Sequence, residues 1–363
     1  MMPTMEKIGR YRLIRRLGAG SFATVWLGRD DDLDVDVAVK VLADNWASND
    51  NVRNRFLFEA RLMRRIRDPR VVRVYDIGTL PDGRPYFVMD YCDSGSLQDL
   101  RRSPIDPGTT LHLCAEACRA LDVVHREQVV HRDVTPGNLL LDRSSGKLQV
   151  LLADLGVAKE MIEQAGATMT AGTPSYMAPE QASGDALGPR SDLYAMASVT
   201  YAVLTGQPAF PVKTVQDLMT RPPDALPRPL APILGTPPQL DQLLVAALSL
   251  NPAQRPPSAA VMADELDRIA ALLPLPDATQ STQVRPRFTP ELGSLPPQWQ
   301  ASANPMPTPT SLPPHPSGIS HVVGPIPQPA DDGPPVWQHW TLVTLIAVLV
   351  FLGVVALTLF MLG

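Results

Sequence analysis

The chain has 363 residues, which is enough for two or three domain-sized cores. Its formal net charge of −5 excludes a broadly basic surface, so nucleic acid is not an expected partner. The three cysteines cannot all pair and form no Cys-x-x-Cys motif, which favours a reducing compartment over a disulfide framework. Residues 1–11 lack the apolar core of a signal peptide.

The first predicted elements flank a glycine-rich turn. Apolar residues alternate along residues 11–25, which predicts a strand, a turn and a second strand. Gly18 and Gly20 have no Cβ, so the backbone there could approach a phosphate closely. No Gly-Lys-Ser/Thr follows, and a strand comes next where a helix would be needed. These two features exclude a Walker loop and a dinucleotide-binding fingerprint.

The next two elements carry a candidate ion pair. Valines alternate along residues 35–42, VDVAVKVL, so Lys40 is predicted to project from the opposite face of a strand. Residues 55–66 have helical spacing, with Glu59 among apolar positions. A glutamate on the inner face of a helix could pair with Lys40 and hold it toward a polyphosphate.

Three further motifs follow in order: HRDVTPGNLL at 131–140, LADLGVAK at 152–159 and GTPSYMAPEQ at 172–181. Together with the glycine-rich loop and VAVK, they resemble the signature set of protein kinases. The chain resembles in particular the bacterial membrane-anchored, eukaryotic-like Ser/Thr kinases. The resemblance covers residues 9–273. It implies an α+β bilobal fold, with a small β-rich N-lobe and a larger helical C-lobe.

The resemblance implies catalytic roles in transferring the γ-phosphate of ATP to Ser or Thr hydroxyls of protein substrates. Lys40, held by Glu59, would contact the α and β phosphates. Asp133 would accept the proton of the substrate hydroxyl. Asn138 and Asp154 would bind Mg²⁺ or Mn²⁺ through hard oxygen ligands.

The resemblance also implies a nucleotide pocket. Met89 would be the gatekeeper at the back of the pocket, and the backbone of Asp90 and Cys92 would face the adenine edge. Cys92 is interpreted as a small hinge residue and not as a redox switch. The residues implied in nucleotide binding are Leu17, Gly18, Ala19, Gly20, Ser21, Phe22, Val25, Ala38, Lys40, Met89, Asp90 and Cys92.

Two features of the C-lobe are implied by the same resemblance. Residues 191–210 resemble the long central helix, with Asp192 bracing the catalytic loop. Arg255 stands where the family pairs an arginine with Glu180. Such a buried pair is structural and costly to break from one side.

Two departures from the family pattern bear on activity. Leu155 replaces the Phe of the Asp-Phe-Gly motif, an apolar exchange that preserves most of the burial. Thr135 stands where these kinases usually carry a lysine that stabilises the transferring phosphate. Loss of that lysine's positive charge can lower the rate by on the order of a hundredfold. The alternative hypothesis is therefore a membrane-tethered pseudokinase scaffold. Asp133 and the metal ligands are intact, which favours an active enzyme.

Autophosphorylation is predicted in the activation segment, residues 154–180. Thr168 and Thr170 lie in its small, polar centre, GATMTAGT. A phosphothreonine there would suit the guanidinium of Arg132 and order the segment. The other interpretation is that these threonines are ordinary loop residues and Arg132 pairs with a carboxylate. Self-association would allow one chain to phosphorylate another. Separately, Thr173 resembles the residue that supports Ser/Thr acceptors in the family.

The C-terminal region predicts a tether and an anchor. Residues 274–336 contain 17 prolines, which predicts an extended, disordered juxtamembrane linker; an adaptor acting through its proline runs is a third hypothesis. Residues 341–363 carry no charge and would span about 34 Å as a helix, so a single transmembrane helix in the lipid bilayer is predicted. The span predicts a single-pass protein of the cell membrane. The use of ATP and the reduced cysteines predict that the kinase domain lies in the cytoplasm.

Overall fold

The computed structural model describes residues 7–144, 146–156 and 174–274, all within one compact unit. Thr168, Thr170 and Thr173 lie outside the described residues, as do the linker from residue 275 onward and the predicted span 341–363. Among the helices of the described part, none is both long enough and apolar enough to cross a membrane.

The N-lobe is a six-stranded antiparallel sheet packed against one long helix. Its strands are β1 Lys7–Ile8, β2 Tyr11–Ala19, β3 Ala23–Asp30, β4 Val35–Leu42, β5 Val74–Thr79 and β6 Pro85–Asp90, in the spatial order β1-β2-β3-β4-β6-β5. The helix, α1 Asp50–Arg65, follows a short 3-10 helix at Asp44–Trp46. It begins five residues before the predicted start, because the Asn49 side chain accepts a hydrogen bond from the Val52 amide and caps it.

The C-lobe is mainly helical. Its helices are α2 Leu97–Arg102, α3 Pro107–Arg126, α4 Pro179–Ser183, α5 Pro189–Thr205, α6 Val215–Met219, α7 Ala231–Leu234, α8 Pro238–Ala247 and α9 Ala259–Ala270, and a hairpin pairs β7 Leu139–Asp142 with β8 Gln149–Leu152. Helix α5 is buried along most of its length, and α9 packs along α3. The predicted central helix is α5, but its end at residue 210 was wrong. Gly206 takes a left-handed φ of 74° and caps the helix after Thr205.

Strand β4 is buried on both of its faces. On the inner face, Ala38 and Leu42 join the main core, which continues into the C-lobe. On the outer face, alternate valines enter a second core whose buried members are Ile8, Tyr11, Val37, Val39, Val41, Leu80, Tyr86 and Val88. Lys40 lies on the inner face, opposite the valines, and the two lobes confirm the predicted bilobal α+β fold.

Backbone pairing between the lobes fixes the start of the Asp154 loop. The amide of Val72, just before β5, donates to the carbonyl of Leu152 at 3.0 Å. The amide of Leu152 in turn donates to the carbonyl of Arg70 at 2.8 Å. The end of β8 is thus attached to the N-lobe, two residues before Asp154.

Candidate active site

Two carboxylates from separate elements contact Lys40. Its ammonium donates hydrogen bonds to Glu59 Oε1 of α1 at 3.1 Å and to Asp154 Oδ1 of the C-lobe at 2.7 Å. Lys40 and Glu59 are buried, whereas a third of the Asp154 side chain is exposed. One cation is therefore held by a strand, a helix and the loop of the other lobe.

The environment keeps Lys40 charged. Burial alone would lower the pKa of Lys40, but the carboxylates of Asp154 and Glu59 outweigh it and raise that pKa above its ordinary value. Burial raises the pKa of the Glu59 carboxyl to about 7, against the opposing effect of Lys40. The ring of Phe87 lies beneath the ammonium, with its centroid 5.5 Å from Nζ. The result is a fixed cation suited to a phosphate oxygen.

Asp192 stabilises the catalytic loop, the segment around Asp133, through hydrogen bonds to its backbone. Its Oδ2 accepts hydrogen bonds from the His131 amide at 2.8 Å and from His125 Nε2 at 2.7 Å. Its Oδ1 accepts from the Arg132 amide at 2.8 Å, and Gln181 Nε2 donates to the Arg132 carbonyl at 3.0 Å. Arg132 has a φ of +66°, a conformation that a non-glycine residue keeps only when its surroundings enforce it.

The loop that carries Asp154 packs against the catalytic loop. The Gly156 amide donates to the carbonyl of His131 at 3.0 Å, and a Cβ built on Gly156 would lie 2.7 Å from Asp133 Cβ. Only glycine fits there without displacing Asp133. Asn138 Nδ2 donates to the Asp133 carbonyl at 2.8 Å and to its Oδ2 at 3.3 Å. The proposed base and both proposed metal ligands are thus brought together.

The two departures from the family pattern have different structural settings. Leu155 is fully buried, so the apolar exchange keeps its place in the core. Thr135 is half-buried and its carbonyl accepts a hydrogen bond from the Asn138 amide at 3.1 Å. Thr135 therefore starts the turn that carries Asn138, but it brings no positive charge to the catalytic loop.

The strand register places the predicted walls of the nucleotide pocket side by side. Val25 is paired with Lys40 across β3 and β4, and Ala38 is paired with the buried Met89 across β4 and β6. Burial raises the pKa of the Cys92 thiol to about 12, so this thiol stays protonated at neutral pH. The predicted wall thus sets the apolar side chains of Val25, Ala38 and Met89 close to Lys40.

Asp90 is only partly available to a nucleotide. Its amide donates to the carbonyl of Arg73 at 3.1 Å. Its carboxylate accepts from the Arg73 amide at 2.7 Å and from the hydroxyl of Tyr75. Asp90 can therefore offer its carbonyl, but its amide and side chain secure the start of β5.

The glycine-rich loop is open on its exposed side. Residues Leu17 to Ser21 are exposed, and Phe22 is half-buried. A Cβ built on Gly18 would meet no atom within 4 Å, and one on Gly20 would meet only the Ala23 carbonyl at 3.8 Å. Packing within the described residues thus leaves space above both glycines.

The C-lobe contains a buried ion pair between Arg255 and Glu180. Arg255 donates to both carboxylate oxygens of Glu180, at 2.6 and 2.8 Å. Burial would raise the pKa of Glu180, but hydrogen bonds from Arg255 and Ser191 keep that pKa below its ordinary value. The guanidinium of Arg255 also lies over the ring of Tyr194, 5.0 Å from its centroid.

Several residues of the site had no role in the sequence analysis. Gln181 and His125 act through single contacts to the catalytic loop and Asp192. Trp46 contacts the glycine-rich loop through a hydrogen bond from Nε1 to the Ser21 carbonyl at 2.9 Å. The only sequence signal for Trp46 is a large aromatic residue in a polar stretch between strand and helix.

Comparison with known proteins places this architecture in a family. The model of the protein kinase domain matches residues 11–266. The chain is 36% identical over 272 residues to the serine/threonine-protein kinase PknB of Mycobacterium leprae, covering 72% of this chain and 43% of that protein. It is 35% identical over 275 residues to the serine/threonine-protein kinase PknL of Mycobacterium tuberculosis, covering 74% and 67%.

A solved structure shows the same fold. The crystal structure of the PknI kinase domain of Mycobacterium tuberculosis matches with a TM-score of 0.56 and 30% sequence identity. The match covers 72% of this chain and 97% of that domain. The chain thus spans less than half of PknB and nearly all of a solved kinase domain. It belongs to the protein kinase family, among the bacterial Ser/Thr kinases of eukaryotic-like type.

Proposed function

We propose that this chain is an ATP-dependent protein kinase that phosphorylates Ser and Thr hydroxyls of proteins. The observation that carries the proposal is the contact of Lys40 with Glu59 at 3.1 Å and with Asp154 at 2.7 Å. A kinase needs its phosphate-binding lysine and its metal-binding aspartate assembled across the two lobes. The relatives named as serine/threonine-protein kinases support the class of acceptor.

The residues present fit a nucleotide. Val25, Ala38 and Met89 provide apolar contacts for a base, and the backbone of residues 90–92 provides polar atoms at its edge. Lys40 provides a cation for the phosphates, and the exposed backbone of Gly18 and Gly20 leaves space for a phosphate to approach it. The pocket therefore combines an apolar end for adenine with a charged end for the phosphates.

The residues also fit a magnesium ion that arrives with the nucleotide. Asp154 offers a partly exposed carboxylate, and Asn138 offers an amide oxygen. In the described residues, no group of three or more His, Cys, Asp or Glu side chains could hold an ion by itself. Mg²⁺ is commonly held by one or two protein oxygens together with substrate phosphates, where it neutralises phosphate charge.

The chain's own residues would then carry the proton and position the acceptor. The substrate hydroxyl oxygen forms a bond to the γ-phosphorus while the bond to the ADP oxygen breaks. The hydroxyl proton passes to the Asp133 carboxylate, which Asn138 holds in place. Lys40 fixes the α and β phosphates during this exchange.

We propose, further, that the kinase acts at the cell membrane and switches itself on. The uncharged stretch 341–363 supports a single-pass anchor, with the kinase domain in the cytoplasm, where ATP is available. Thr168 and Thr170 support autophosphorylation, which self-association would promote. Protease treatment of intact cells should leave residues 1–330 uncut, and cleavage of that region from outside would contradict this orientation.

The central test is phosphate transfer from radiolabelled ATP to the chain itself and to a general protein acceptor. Wild type should incorporate label on Ser or Thr, whereas Asp133→Ala should lose transfer and still bind ATP. The matched control is Asp264→Asn, an exposed carboxylate on α9 that pairs with Arg119. Equal transfer by Asp133→Ala and wild type would contradict the proposal.

Thr135 supports a second candidate, a nucleotide-binding scaffold that binds partners without efficient transfer. A half-buried threonine supplies no charge for the transferring phosphate. The same assay separates the two functions. A wild-type chain that binds ATP but transfers no more phosphate than Asp133→Ala would favour the scaffold.

A further inference from the structure

Trp46 makes two contacts with the tip of the glycine-rich loop. Its indole Nε1 donates to the Ser21 carbonyl at 2.9 Å, and its ring lies 5.6 Å from the ring of Phe22, centroid to centroid. The rings are tilted by 30°. Trp46 is half-buried against the main core, so it is itself anchored. A side chain on the β4–α1 connection therefore holds the loop by one polar and one apolar contact.

These contacts set the direction of the loop peptides. The Ser21 carbonyl points to Trp46, and the Phe22 carbonyl accepts from the Ala43 amide at 2.8 Å. In a trans peptide the carbonyl and the following amide point in opposite directions. The amides of Phe22 and Ala23 are therefore turned away from residues 43–46. The Gly20 amide, which donates to the Ala23 carbonyl at 2.9 Å, closes the turn.

The same residue is connected to helix α1. The Trp46 carbonyl accepts a hydrogen bond from the Asn49 amide at 3.0 Å. The Asn49 side chain caps α1 through the Val52 amide at 3.1 Å. Helix α1 carries Glu59, which binds Lys40. A short hydrogen-bonded path thus joins the tip of the glycine-rich loop to the helix whose Glu59 holds Lys40.

We propose that Trp46 is a positioning residue that holds the glycine-rich loop with its tip amides directed at the terminal phosphates of ATP. The proposal rests on the proposed function, because it assumes that ATP is the ligand. It assigns Trp46 to phosphate binding and not to adenine binding. Loss of the contact should therefore lower the affinity for ATP and leave the affinity for adenosine unchanged.

The test measures the affinity of the full-length chain for Mg-ATP and for adenosine by calorimetry. Trp46→Phe keeps a ring against Phe22 but removes the N–H donor. It should lower the affinity for ATP by about threefold to tenfold, the range that the net free energy of one hydrogen bond supplies. Trp46→Leu removes both contacts and should weaken ATP further. Adenosine affinity should stay within about twofold in both variants, because the adenine walls are untouched.

The matched control is Trp26→Phe, because Trp26 packs against the outer core and is paired with Arg16 of β2 and Val39 of β4. It should change neither affinity, and thermal unfolding should show that each variant is folded. Unchanged ATP affinity in Trp46→Phe would overturn the proposal. Parallel loss of ATP and adenosine would also overturn it, since Trp46 would then be merely structural. Weakened ATP binding in a chain that transfers no phosphate would support this role of Trp46 and contradict the kinase activity.

Discussion

The carboxylate of Asp192 accepts a hydrogen bond at 2.8 Å from the amide of Arg132, whose φ is +66°. A left-handed backbone costs a non-glycine residue roughly 1–3 kcal/mol. A hydrogen bond to a charged group contributes roughly 1.5–3 kcal/mol. Because the two magnitudes are comparable, this contact can decide the backbone direction immediately before Asp133.

Asp192→Asn should lower kcat by about tenfold or more while the affinity for ATP changes little. The asparagine NH₂ group cannot accept a hydrogen bond, so an amide of the catalytic loop loses its partner. In the proposed site, ATP is bound mainly by Lys40 and the apolar pocket residues, whereas the hydrogen bonds of Asp192 go to His125, His131 and Arg132. Steady-state kinetics and calorimetry measure the two quantities. Asp264→Asn is the control, and an unchanged kcat would show that the loop keeps its conformation unaided.

Asp154→Asn should weaken Mg-dependent binding of ATP and abolish phosphate transfer. The substitution removes a charged oxygen ligand and one of the two carboxylates at Lys40. Calorimetric titration with ATP, with and without Mg²⁺, should show that the gain from Mg²⁺ is largely lost. Asp36→Asn, an exposed N-lobe carboxylate paired with Arg29, should keep that gain. A full Mg²⁺ effect in Asp154→Asn would exclude Asp154 as a metal ligand.

The Glu59 carboxyl predicts a dependence of kcat/KM for ATP on pH. Its pKa is raised to about 7, so it is ionised above that pH and protonated below it. Only the ionised form makes an ion pair with Lys40. Activity should therefore fall as the pH drops through about 7, since kcat/KM follows the groups of the free enzyme. Glu59→Gln should have a lower kcat/KM for ATP and should lack this inflection. An identical inflection in that variant would mean that another group causes the pH dependence.

Thr135→Lys should raise the rate of phosphate transfer or leave it similar. The new ammonium could stabilise the transferring phosphate, and the backbone hydrogen bond from Asn138 to residue 135 does not depend on the side chain. Thr220→Lys, at an exposed C-lobe position, controls for the added charge. Initial rates with saturating ATP give the comparison. A fall of about tenfold would mean that the site is built around threonine.

Arg255→Ala should destabilise the folded chain by roughly 3–5 kcal/mol, because it leaves the Glu180 carboxylate buried without its partner. The free energy of unfolding can be measured with urea. Arg268→Ala removes an arginine from an exposed pair with Glu265 and should cost less than about 1 kcal/mol. Similar losses in both variants would show that burial does not strengthen the Glu180–Arg255 pair.

The motifs predicted the bilobal fold and the neighbourhood of Lys40, because periodicity and short spacings are local in sequence. The alternating valines of residues 35–42 are enough to place Lys40 on the inner face of β4. Helix boundaries were less predictable. The start of α1 depends on the Asn49 cap and the end of α5 on the backbone of Gly206, and neither interrupts the apolar pattern.

The contacts between distant residues could not be predicted from the sequence. The hydrogen bond from Trp46 to Ser21 joins a side chain to a carbonyl 25 residues away, and no spacing rule marks it. The requirement for glycine at position 156 comes from Asp133 Cβ, which approaches only when two loops are stacked. Such features depend on how finished elements meet in three dimensions.

The second apolar core of the N-lobe secures the register of the strand that carries Lys40. A shift of β4 by one residue would exchange its two faces. Lys40 would then enter the layer of Val39 and Tyr86, and a valine would replace the ammonium beside Glu59. Burying a charge in that layer without a partner costs far more than any hydrogen bond gained by slippage. The outer core therefore helps to keep Lys40 beside Glu59, as the proposed phosphate site requires, although this core lies on the far side of the sheet.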